Sequence, residues 1–103
     1  MNPIFKGSID EFYIHDGMVR GDTLWAAGIY AGFFAVIDVS DKTNPNILAT
    51  QSTPSNKAHN CWLSDDGNYL FTTDEVDGGY IASFDVSDLS LIHISEPTRQ
   101  AEI

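Results

Sequence analysis

The sequence predicts an all-β fold, and three observations predict it. Short segments rich in β-branched and aromatic residues alternate with glycine, aspartate and asparagine turn signals. No segment of residues 1–88 keeps a helical period of apolar residues. The strand-and-turn plan also recurs along the chain. Gly21-Asp22-Thr23-Leu24-Trp25 matches Gly67-Asn68-Tyr69-Leu70-Phe71 at a spacing of 46 residues. Ile37-Asp38-Val39-Ser40-Asp41 matches Phe84-Asp85-Val86-Ser87-Asp88 at a spacing of 47. The Asp77-Gly78-Gly79 turn absorbs the one-residue difference.

The elements follow in order. Phe12–Val19, Thr23–Ile29, Phe33–Asp38 and Ile47–Gln51 read as four strands. Between them stand Arg20-Gly21-Asp22, Ala31-Gly32 and the run Ser40-Asp41-Lys42-Thr43-Asn44-Pro45. The second unit repeats the plan with Ala58–Leu63, Tyr69–Asp74 and Tyr80–Asp85. Its turns are Ser64-Asp65-Asp66-Gly67 and Asp77-Gly78-Gly79. A period near 46 is about the length of one four-stranded propeller blade. The expected architecture is therefore about two four-stranded antiparallel blades of a truncated β-propeller. Residues 1–52 form the first blade, and residues 53–88 the truncated second.

Composition sets limits on function. The 103 residues carry 43% hydrophobic and 12% aromatic side chains, enough to bury a core. Five basic residues against fifteen acidic ones give a net charge of -10, which repels phosphate backbones and excludes nucleic acid as the expected partner. Cys61 is the sole cysteine, so no internal disulfide forms. The longest apolar stretch, near Ile29–Ile37, is glycine-interrupted and too short to cross a bilayer. Met1-Asn2-Pro3-Ile4 lacks the features of a signal peptide, so the leader of an exported parent is expected upstream.

Phe34-Ala35-Val36-Ile37-Asp38-Val39-Ser40-Asp41 followed by Asn44-Pro45 resembles the LVIVD repeat, which builds bacterial β-propellers such as the large exported proteins of the choice-of-anchor B type. Ile14-His15-Asp16-Gly17 and Ala58-His59-Asn60 resemble blade starts of that family. The chain departs from the pentapeptide at Phe34 and Ala35, and more widely across Ile81-Ala82-Ser83-Phe84-Asp85. The resemblance implies a bacterial protein at the cell surface or outside the cell. It implies no catalytic residues.

From Leu89 the character changes. Leu89-Ser90-Leu91-Ile92-His93-Ile94-Ser95-Glu96-Pro97-Thr98-Arg99 resembles a one-frame translation of a transposase adapter from short-read sequencing libraries. Residues 89–103 are accordingly read as an artefact tail, and His93 is excluded from any site. Residues 1–88 hold 4 basic and 13 acidic residues, a net charge of -9, so the acidic character belongs to the blades. The apolar alternation of Leu89–Ile94 nevertheless permits opportunistic strand pairing.

Four groups of residues are candidates for chemistry. His15 and His59 recur where the innermost strand of each blade begins, and converging imidazoles there could hold a transition metal. The preferred reading is structural: each histidine bonds a neighbouring strand or turn and locks blade geometry, because two histidines without a third ligand do not make a metal site. Asp74, Glu75 and Asp77 form an acidic loop expected near His59. They are read as a solvated turn, with calcium as the alternative. Asp38-Val39-Ser40-Asp41 and its copy are expected to lock strand exits through side-chain-to-backbone turns, while Trp25, Phe34, Phe71 and Phe84 are expected to pack blade cores. Cys61 has no activating neighbour in sequence and is expected to be inert.

The function expected from these observations is a non-catalytic binding or scaffold propeller that takes a protein or glycan ligand and stacks against the parent's remaining blades. The alternative is a metal-dependent propeller enzyme with axial histidines.

Overall fold

A computed structural model describes residues 2–89, together with the backbone of 93–94 and 98–99. The described residues form no helix longer than a single turn, and none is long and apolar enough to cross a membrane. Two antiparallel sheets make up the fold. The first contains β1 (Asp16–Arg20), β2 (Thr23–Gly28), β3 (Phe33–Asp38) and β4 (Asn46–Ser52), in that order. The second contains β5 (Ala58–Leu63), β6 (Tyr69–Asp74) and β7 (Tyr80–Asp85). Each sheet runs up and down through hairpins, and neither closes on itself. The fold is that of a partial β-propeller.

The tail lies outside the described residues except for Leu89 and two short pairings. Leu89 packs partly buried against the core. The backbones of β8 (His93–Ile94) and β9 (Thr98–Arg99) pair antiparallel with β7.

The registers of the two sheets superimpose row by row. In the first sheet Met18 faces Trp25, which faces Val36; in the second, Trp62 faces Phe71, which faces Ser83. One residue along, Gly17–Ala26–Ala35 corresponds to Cys61–Thr72–Ala82. Successive side chains of a strand point to opposite faces, so these rows alternate between the two sides of each sheet.

The main core lies between the sheets. Trp25, Ala27, Phe34 and Val36 supply one wall; Cys61, Leu63, Leu70, Ala82 and Phe84 supply the other. Phe34 and Phe84 meet edge to face, with ring centroids 4.9 Å apart. Polar atoms reinforce this seam. The Cys61 thiol contacts the Trp25 carbonyl oxygen at 3.3 Å, and the Leu63 amide donates to the Met18 sulfur at 2.9 Å. The Arg20 guanidinium donates to the Ser64 carbonyl oxygen just beyond the end of β5. The expected first strand begins later than its sequence pattern, at Asp16, because residues before it have another task. Ile9, Phe12 and Ile14 cover the far face of the first sheet, against Ala26, Ala35 and Ile37. Phe12 stands edge-on to Phe33 at 5.0 Å, and its ring occupies the space beside Gly28, where an added Cβ would sit 2.9 Å away. The far face of the first sheet is thus covered by the chain's own residues, while among the described residues the outer face of the second sheet is left without such a layer.

The turn chemistry is as the sequence reads. The Ser40 amide donates to Asp38 Oδ1, and the Ser87 amide to Asp85 Oδ1, each at 2.9 Å. Asp41 accepts from the Thr43 amide and hydroxyl, and Asp66 from the Ser64 hydroxyl and Asn68 amide.

Candidate functional site

The edge where β1 and β5 begin gathers the chemistry-bearing residues. His15 stands immediately before β1, its amide donating to the Ala27 carbonyl oxygen at 2.9 Å. His59 lies on β5 at a register shift: Ala58 pairs with Asp74 and Asn60 with Thr73, leaving His59 as the extra residue of a β-bulge. A bulge bends the strand and re-aims the side chain of its unpaired residue. The two imidazoles, 44 residues apart in sequence, lie with ring centroids 4.9 Å apart.

Glu75 joins them. It follows the last residue of β6, and its amide donates to the Lys57 carbonyl oxygen at 3.0 Å, which sets it across from His59. Its Oε2 comes 2.7 Å from His59 Nδ1. That distance suits an ion pair, but the atoms are not aligned as a hydrogen bond, and Nδ1 is screened from solvent with no aligned partner. One ligand atom from each of His15, His59 and Glu75 falls within 4.8 Å of the other two. Two nitrogen donors and one carboxylate oxygen are a ligand set suited to first-row transition metals. Sequence reasoning named both histidines but placed Glu75 only in a nearby acidic loop. The pairing of β5 with β6 was the signal that could have singled it out.

Asp74 corrects the reading of that loop as solvated. It is buried, and both carboxylate oxygens are engaged. The Thr53 hydroxyl donates to Oδ1 at 2.6 Å, the Lys57 amide to Oδ1 at 2.9 Å and the Ser55 amide to Oδ2 at 3.1 Å. Asp74 thus ties the segment entering β5 to the end of β6, a structural task that withdraws it from any calcium site. Gly79 permits the tight return, since a Cβ there would lie 2.5 Å from the Asp74 carbonyl oxygen. Asp77 is exposed.

The strand-start edge continues outward as an aromatic row. Tyr13 lies 6.4 Å from His15 and 5.5 Å from Tyr30, and the Lys57 ammonium sits over the Tyr30 ring at 5.3 Å. Cys61 takes no part. Burial in the seam pushes its thiol from 9.0 up to about 12, with the Asp16 carboxylate adding to the shift, so it stays protonated and unreactive.

The second feature open to a partner is the outer face of the second sheet. Trp62 is 63% exposed, Phe71 45%, Tyr69 41% and Ile81 40%. The expectation that Phe71 packs in a blade core is corrected here, because no layer covers its side of the sheet among the described residues. No protein-family model and no curated protein matches the chain.

Proposed function

We propose that this chain is a stacking module of a β-propeller, a non-catalytic binding or scaffold unit whose partner is a further antiparallel sheet of the same repeat. The observation that carries the reading is the outer face of the second sheet. Met18, Trp25 and Phe34 bury the seam between the two sheets; their register partners one unit on are Trp62, Phe71 and Ile81, which face outward. An exposed aromatic and aliphatic patch of this kind marks an interaction surface. The chain supplies its own template for the occupant, since the first sheet meets the second through the corresponding residues. The likeness of Phe34–Asp41 to the LVIVD repeat extends the proposal to a bacterial surface or secreted propeller, with protein or glycan ligands taken by the assembled whole.

The test is the behaviour of the open face in solution. Light scattering and hydrophobic-dye binding are compared for the native chain and the Trp62→Lys/Phe71→Lys double variant. The native chain is expected to self-associate and bind dye; the variant is expected to be monomeric with unchanged β-sheet circular dichroism. A native chain that is a dye-free, soluble monomer overturns the proposal.

A further inference from the structure

We infer that His15, His59 and Glu75 together hold one divalent transition-metal ion of the zinc class, clamping the start of β1 to the start of β5. This goes beyond stacking and is independent of it, because the ligands lie at the strand-start edge and none belongs to the open face.

The donor chemistry and the geometry point to the same ion. Imidazole nitrogens favour zinc, copper and nickel over calcium and magnesium, which prefer sites built wholly from oxygen. Zinc bonds to nitrogen and oxygen are about 2.0–2.2 Å long, which sets the donors of a tetrahedral site roughly 3.4 Å apart. Here the three donor atoms lie within 4.8 Å of one another, with His59 Nδ1 and Glu75 Oε2 at 2.7 Å. The 2.7 Å pair must open by about 0.7 Å, and a pair at the 4.8 Å limit must close by about 1.4 Å, to reach the tetrahedral spacing. His15 and Glu75 are exposed, so rotation about side-chain bonds supplies that adjustment without moving a strand.

An ion also accounts for His59. Its Nδ1 is screened from water and sits beside a carboxylate oxygen without making an aligned hydrogen bond. A screened ring nitrogen without an aligned partner is costly. A metal ion between nitrogen and oxygen would supply that partner. The backbone holds the donors before any ion arrives: His15 through Ala27, Glu75 through Lys57, and His59 through the bulge that Asp74 braces. Three protein ligands leave a fourth position for water, the arrangement of an open zinc site. The net charge of -10 adds a general attraction for cations.

The experiment is a Co²⁺ titration of the full, untagged chain, followed by displacement with Zn²⁺. Visible absorption reports tetrahedral coordination. The titration is repeated in the Trp62→Lys/Phe71→Lys background, so that self-association of the open face does not enter the result. One Co²⁺ per chain is expected, displaced by Zn²⁺. Loss of an outer-shell partner weakens metal sites about 10–100-fold, so loss of a ligand in His15→Ala, His59→Ala or Glu75→Gln is expected to cost at least roughly tenfold. Asp77→Asn and His93→Ala are expected to leave affinity unchanged. Absence of a Co²⁺ band overturns the inference. So does binding that survives both histidine substitutions, or binding that His93→Ala removes.

Discussion

Trp25 and Phe71 occupy the same register position in successive sheets, each paired across to the middle of its hairpin, yet Trp25 is 6% exposed and Phe71 45%. The difference comes from what lies over them. The second sheet covers Trp25, and among the described residues no further sheet lies over Phe71, which is left half-exposed.

The contrast gives a paired prediction. Trp25→Ala empties the seam and is expected to destabilise the fold by about 3–5 kcal/mol, the usual cost of deleting a large buried aromatic. Phe71→Ala removes a half-exposed ring and is expected to cost less than about 1 kcal/mol in the isolated chain. Urea denaturation of the two variants measures both. Equal losses would mean that Phe71 is covered in solution.

Asp74 yields a second prediction. Asp74→Asn replaces one carboxylate oxygen by an amide NH₂, which cannot accept from the Thr53 hydroxyl and the Ser55 and Lys57 amides together. At least one part-buried amide donor loses its acceptor, at up to about 1–3 kcal/mol. A melting temperature lowered by several degrees is expected, together with weaker Co²⁺ binding, because the same bonds fix the segment that leads into His59. A variant with native stability would show that the three donors find other partners.

Most of the strand plan was legible because each strand is bounded by turn chemistry that acts locally. Asp38 and Asp85 bond to amides two residues ahead, so their effect can be read without tertiary context. The pairing of His15 with His59 was legible from the recurrence of the two blade starts. Glu75 was not, because its place depends on the pairing of β5 with β6 and on the bulge at His59. Phe12–Ile14 misled for a related reason. Their apolar pattern suits a strand, but covering the first sheet is a tertiary task that periodicity does not encode. Asp74 misled because its neighbours in sequence are exposed acids, while its hydrogen-bond donors lie 17–21 residues upstream.

Cys61 tests the seam itself. With its thiol pushed up to about 12 by burial, the folded chain is expected to resist alkylation at pH 8 and to react fully once unfolded in guanidinium. The sign of the linkage follows. Because the folded value lies above the unfolded one, the stability due to the neutral buried thiol is complete below its unfolded value of 9.0. It is lost progressively as pH rises through the folded value. Rapid labelling of the native chain at pH 8 would show that the two sheets part readily.

The acid side is governed by the strand-exit turns. Hydrogen bonds from Ser40 hold the Asp38 carboxyl below its ordinary value of 3.8; those from Thr43 do the same for Asp41, and those from Ser64 and Asn68 for Asp66. A carboxylate whose folded value is depressed contributes stability that is present above the unfolded value and lost as pH falls through the folded one. Stability is therefore expected to hold down to about pH 4 and then fall, as these turns lose the charged acceptor that fixes them. Each group is solvent-exposed, so the individual effects are small, and the decline is expected to be gradual rather than a single step. A pH series of urea midpoints measures it. In an Asp38→Asn/Asp41→Asn/Asp66→Asn variant the acid slope is expected to flatten, because these acceptors no longer titrate. An unchanged slope would assign the acid sensitivity to other carboxylates.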